Sequence, residues 1–153
     1  MNRTYNERYG DTIVWYRDGL AIKITKLNDS EFPTIHCKSH NLVFRDGIPD
    51  LCGLAHRDGG LPAVEYPNGH KVWYVNGQLH RDGGLPAIEY VDGGKLWYVD
   101  GKCHRDGGLP AAEHTDGHKE WHVNGKRHRD GGLPAVEFAN GDKYWYVNGH
   151  MIC

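Results

Sequence analysis

Long apolar runs are missing from this chain, along with most of what a helical domain is built from. Only 2 of 153 residues are methionine. No apolar stretch approaches the ~20 residues that a bilayer-spanning helix needs. The opening MNRTYNERYGD contains no apolar core of the kind a secretory leader carries. An excess of one charge is missing too, since 18 Lys and Arg against 20 Asp and Glu leave a formal charge of −2 with the signs interspersed. Without a basic stripe, neither nucleic acid nor an anionic membrane surface is an expected partner. The four cysteines, Cys37, Cys52, Cys103 and Cys153, recur at no fixed spacing. Reduced thiols and a cytoplasmic location are therefore expected rather than a disulfide framework.

What the chain has in quantity is glycine and aromatics, with 21 Gly, 5 Trp and 9 Tyr. That composition suits short strands joined by tight turns. It is also periodic. HRDGGLPAVEYPNGHKVWYVNGQL, 56–79, returns at 80–103, 104–127 and 128–151, always 24 residues on. A period of this size marks a repeat architecture, so residues common to all copies are first suspected of structural work. Residues 1–55 read as a degenerate N-terminal cap, in which TIVWYRDG and NLVFRDG echo KVWYVNG and the first eleven residues are polar, with a loose end expected at the very N-terminus. The expected fold is all-β: an elongated antiparallel hairpin repeat of about four regular copies over 56–153, continuous with that cap.

Turn chemistry sets the expected register. Pro67-Asn68-Gly69 and its counterparts Val91-Asp92-Gly93, Thr115-Asp116-Gly117 and Ala139-Asn140-Gly141 suit a three-residue hairpin loop with a bulged glycine. That loop places Glu65 opposite Lys71 as an ion pair, repeated by Glu89–Lys95, Glu113–Lys119 and Glu137–Lys143, with Ala63 opposite Trp73 and Leu61 opposite Val75. Asn76-Gly77 reads as a two-residue turn into a short third segment, which brings His80 alongside Trp73. Period-two alternation then puts Leu61, Ala63, Glu65, Lys71, Trp73 and Val75 on one structural face. The other face, positions 64, 66, 72 and 74, varies between copies. It carries Tyr66, Tyr74, Tyr90, Tyr98, Phe138, Tyr144 and Tyr146, whereas the third copy reads Ala112, His114, Glu120 and His122.

The strings KVWYVNG, KLWYVDG, KEWHVNG and KYWYVNG resemble a variant group of the MORN-repeat family over about 56–151. The HRDGGLPA segment departs from the usual MORN unit, with its YEGEW-like strands, and resembles loops in proteins of phages and large DNA viruses and in bacterial antitoxin-like proteins. The resemblance implies an antiparallel β meander that binds another protein, as an inhibitor, antitoxin or anti-defence factor occluding a partner surface. For a viral chain, that places it in the host cytoplasm. A MORN-type scaffold or lipid-surface module is the alternative within the same resemblance.

Candidate chemistry is weighed against these structural readings. His-Arg-Asp occurs four times with no phosphate cradle beside it, so it reads as a loop and not as a kinase catalytic motif. The Asp-Gly-Gly runs have the wrong period for calcium-binding repeats. Cys37, His40, Cys52 and His56 have spacing compatible with zinc, although His56 already belongs to the repeat series. His114, His118 and His122 with Glu120 form either a hydrated stretch of sheet or a polar recognition patch. They could also serve a metal-dependent hydrolase. With no nucleophile–base pair in view, the expectation is a non-enzymatic protein without cofactor. It would bind a protein through the variable face, and pair with itself through sheet ends or the apolar C-terminus.

The two faces give opposite expectations. Burying a tryptophan is worth at most about 4–6 kcal/mol, so Trp97→Ala should lower the melting temperature sharply. Tyr98→Ala should leave the circular dichroism spectrum native. Thermal melts of both variants check the assignment, and an unchanged Trp97→Ala melt would refute it.

Overall fold

The computed structural model describes residues 4–9, 12–17, 20–26, 34–36, 44–45, 48–49 and 55–152. Every regular element among them is a β-strand, arranged in antiparallel pairs. Among the described residues no helix is long and apolar enough to cross a membrane. The chain forms two compact units, Met1–Gln78 and Leu79–Cys153.

In the first unit, Thr4–Tyr9, Thr12–Arg17 and Leu20–Lys26 make a meander, followed by Thr34–His36 and then Val64–Glu65. Val14 and Ile24 sit opposite each other and are fully buried. Residues 1–3, the end expected to be loose, lie outside the described residues, whereas the polar segment Thr4–Tyr9 is a paired strand. Its side chains can be polar because the backbone ladder, and not burial, holds an outer strand.

The second unit is built from repeated strand pairs. Ile88–Glu89 pairs with Lys95–Leu96, which pairs with Ala112–Glu113, then Lys119–Glu120, then Val136–Glu137, then Lys143–Val147. Glu65, Glu89, Glu113 and Glu137 lie opposite Lys71, Lys95, Lys119 and Lys143, as the three-residue loop requires. The loop is closed by Gly69, Gly93, Gly117 and Gly141 donating to the residue three before, all at positive φ. The Asn76-Gly77 type of turn has positive φ at both positions in every copy, the type I′ signature.

The ladder register holds, yet the expected ion pair does not form. Each glutamate is bonded instead by the arginine of its own HRDGGLPA loop: Arg57 to Glu65, Arg81 to Glu89 at 2.7 Å, Arg105 to Glu113 at 2.9 Å and Arg129 to Glu137 at 2.8 Å. The same guanidinium nitrogen donates to the carbonyl of Pro62, Pro86, Pro110 or Pro134. One nitrogen thus serves both acceptors while the planar guanidinium stays free to lie over an aromatic ring.

The expected faces also need correction. Ala63 and Trp73 are buried as expected, but Leu61 is exposed, and Val64 and Val72 of the supposedly outer face are buried. Leu61 and Val75 do not face each other in any ladder. The reason is local: Trp73, Trp97 and Trp121 each interrupt the strand between two-residue ladder segments. Trp97 N–H donates to Ala111 O and Trp121 N–H to Ala135 O, both in the following copy. Alternation restarts at each break, so period-two faces do not run the length of a copy.

HRDGGLPA, expected to be a connection, organises these breaks. The indole N–H of Trp73, Trp97, Trp121 and Trp145 donates to Gly60, Gly84, Gly108 and Gly132 O. Arg105 lies 3.7 Å over the Trp97 ring and Arg129 3.7 Å over Trp121. Loop histidines accept the backbone N–H of the turn residue 20 positions on, as Asn76 donates to His56 Nδ1 at 3.0 Å and Asn124 to His104 Nδ1 at 3.3 Å. With Nδ1 accepting, Nε2 carries the proton and donates to Asp58 or Asp106.

Arg105→Lys keeps the charge but loses the planar stack on Trp97. It should cost about 1–3 kcal/mol in urea denaturation. An unchanged midpoint would show that the guanidinium geometry is not what holds the loop.

Candidate functional site

The distinctive chemistry of the second unit lies at one hairpin. His114 and His118 close the three-residue loop 115–117, His114 N–H donating to His118 O at 2.9 Å. Asp116 Oδ1 accepts the His118 N–H at 2.9 Å and fixes the turn. Glu120 lies two residues beyond His118 on the same strand face, opposite Ala112 on one side and Val136 on the other. The scaffold builds this triangle in every copy, and elsewhere it is filled by Tyr66, His70 and Val72, by Tyr90, Gly94 and Leu96, or by Phe138, Asp142 and Tyr144. Only the third copy places three metal-ligating side chains in it. One ligand atom from each of His114, His118 and Glu120 lies within 4.8 Å of the others.

The carboxylate is held from behind. His122 Nε2 donates to Glu120 Oε2 at 3.0 Å, and Arg127 Nε donates to the same oxygen at 2.8 Å. The His122 hydrogen bond, together with the Arg127 hydrogen bond and charge, outweighs burial and keeps the Glu120 carboxyl down at about 2. Oε1 is turned the other way, 3.4 Å from His118 Nε2. That nitrogen is buried and has no hydrogen-bond partner among the described residues. The His118 ring is stacked between His114 (centroids 4.7 Å apart) and Phe138 (4.3 Å apart).

An open groove of about 460 Å³ runs beside the cluster, lined by Tyr98, Cys103, Ala112, His114, Glu120 and His122 among others. Cys103 is paired with Tyr98 across its hairpin. Burial, and secondarily the Glu120 charge, pushes its thiol up to about 11.

The expectation that the chain catalyses nothing does not stand against this arrangement. Two imidazoles and a carboxylate anchored by two further side chains are the constituents of a metal centre. The expected recognition residues divide differently from the alternation pattern. His114 and Glu120 join the cluster with His118, while His122 supports Glu120 from outside it. Tyr66, Tyr90, Phe138 and Tyr144 are exposed, and Tyr74, Tyr98 and Tyr146 are half-buried. Arg127 lies 5.4 Å over the Tyr146 ring. The role of His118 was accessible from the turn register, because a loop that pairs Glu113 with Lys119 makes His114 and His118 its closing pair.

Of the alternative zinc set, only His56 lies among the described residues. Both ring nitrogens of His56 are engaged, by Asn76 N–H and by Asp58. Cys37, His40 and Cys52 lie outside the described residues. Comparison of the chain with family models, with curated proteins and with solved structures returns no match.

At pH 8 the raised Cys103 thiol is ionised about a hundredfold less than an ordinary cysteine. Cys103 should therefore be alkylated by iodoacetamide far more slowly than a model peptide thiol, with the rate rising above about pH 10. Peptide mapping by mass spectrometry reads this, and fast labelling at pH 8 would contradict the burial described.

Proposed function

We propose that the third repeat binds a divalent transition-metal ion, zinc by ligand chemistry, and that the protein is a metal-dependent hydrolase. The observation that carries this reading is the buried His118 Nε2, without a hydrogen bond among the described residues, beside Oε1 of a carboxylate braced through its other oxygen. Zinc bonds to nitrogen and oxygen at about 2.0–2.1 Å, so neighbouring ligands on a tetrahedral ion stand roughly 3.3–3.4 Å apart. The His118–Glu120 separation of 3.4 Å has that value. His114 is exposed and must swing out of its stack for its lone pair to converge with the other two. Three protein ligands leave one position for water or substrate, which distinguishes hydrolytic zinc sites from closed structural ones. The groove lined by Tyr98 and Cys103 also takes in His114 and Glu120, and would let a substrate reach the cluster.

A second reading keeps the protein-binding role expected from the sequence, whether as inhibitor, antitoxin or anti-defence factor. It is favoured by the exposure of Tyr66, Tyr90, Phe138 and Tyr144, each 37–40% accessible. Exposed aromatics of this size suit protein interfaces.

Calorimetric titration of the chelator-treated, dialysed protein with zinc chloride tests the first reading. Near one equivalent should bind, with His118→Ala and Glu120→Gln each weakening it by at least about tenfold, as ligand-shell losses do. A Cys37→Ser/Cys52→Ser variant should bind as the parent does. Zinc-dependent cleavage of p-nitrophenyl acetate or bis-p-nitrophenyl phosphate should vanish in His118→Ala. Less than a tenth of an equivalent of bound zinc would sink the metal site, and stoichiometric zinc without turnover of either probe would leave a metal site and remove the hydrolase.

A further inference from the structure

Eight residues, HRDGGLPA, are identical in all four copies although neighbouring positions have diverged. In the unit Leu79–Cys153 seven of the eight serve the fold itself. The histidine receives a turn N–H and donates to the aspartate. The arginine bridges the proline carbonyl and the glutamate. Both glycines adopt positive φ, and the second supplies the carbonyl for the tryptophan. The alanine is fully buried. The leucine side chain makes no comparable contribution, since Leu85, Leu109 and Leu133 are 49–50% exposed.

These leucines lie at the walls of two equivalent grooves. One, of about 290 Å³, lies between Leu85 and Leu109 with Trp97 on its lining; the next, of about 230 Å³, lies between Leu109 and Leu133 with Trp121. Asp82, Asp106 and Asp130 stand on the same loops with side chains 94–96% exposed. The arginines there are engaged by Glu89, Glu113 and Glu137, so the accessible charge of the loops is acidic. Each copy adds two strands to the sheet, so successive grooves repeat at roughly 10 Å. One turn of a polyproline II segment, three residues, also spans about 9 Å and returns every third side chain to the same face.

We infer that this row of loops is a docking surface for a basic segment of a partner protein in the polyproline II conformation. The segment carries an apolar side chain at every third position and Lys or Arg between them. The apolar side chains enter the grooves beside the leucines, and the basic ones meet the aspartates at the rim. This surface uses none of the proposed metal ligands and is independent of that reading.

The probe is a fluorescein-labelled peptide, KLKKLKKLK, followed by fluorescence anisotropy on the full chain in EDTA. Binding is expected, weakening as salt rises, and lost by about tenfold or more in Leu109→Asn, which borders both grooves. Circular dichroism and melting of Leu109→Asn should match the parent, because half of that side chain already faces solvent. Asp106→Asn should weaken binding and flatten its salt dependence. A peptide with glutamate for lysine, and one with leucine at every second position, should bind more weakly. No binding of KLKKLKKLK at about 1 mM protein, equal binding of the acidic peptide, or an unaffected folded Leu109→Asn would each overturn the inference.

Discussion

The repeat depends on how Trp97 and Trp121 are each held between two loops. Trp97 donates its indole proton to Gly84 O of its own copy at 2.9 Å, and its ring is covered by Arg105 of the next. Trp121 repeats this with Gly108 and Arg129. One side chain therefore ties a copy internally and to its successor. The arrangement requires a loop whose carbonyl points inward, which the Gly-Gly pair at positive φ provides, and a cation that reaches over the ring while staying bonded to its own strand. Trp73, Trp97 and Trp121 are consequently only 5–6% exposed in a sheet whose paired segments are mostly two residues long. Such short ladders could not stabilise a sheet by backbone pairing alone.

That economy also explains where chemistry can be placed. Because tryptophan, arginine, alanine and proline carry the stability, the closing pair of the three-residue loop and the residue two beyond it are free to vary. The same three backbone positions are presented in each copy, and the third copy fills them with His114, His118 and Glu120. Arg127 and His122 complete the arrangement by bonding one carboxylate oxygen and leaving the other toward His118. A repeat scaffold of this kind acquires a site by local substitution without disturbing the contacts that hold it together.

Much of this was readable from residue order. The 24-residue period, the all-β class, the bulged three-residue loop and the type I′ turn follow from local chemistry: Asn or Asp followed by Gly admits few backbone conformations. The pairing of glutamate with lysine positions followed from the loop length, and with it the adjacency of His114 and His118. What residue order misassigned were the partners of side chains. Glu113 lies opposite Lys119 in the ladder yet is bonded by Arg105, eight residues back, through a loop whose course no local rule specifies. Leu109 counted as core by alternation and is half-exposed, because the strand breaks at the tryptophan and alternation restarts.

The sequence by itself determined the repeat, the turns and the register, since these depend on backbone preferences of a few adjacent residues. Only the tertiary structure decided which invariant residues are structural and which are left facing outward. It turned HRDGGLPA from a connection into the element that clamps Trp97 and Trp121, and it set His118 beside one oxygen of Glu120 and His122 against the other. The physical reason is the same in both cases. Guanidinium, indole and imidazole groups form directional bonds across loops, and their partners are set by where the backbone brings acceptors together and not by spacing along the chain.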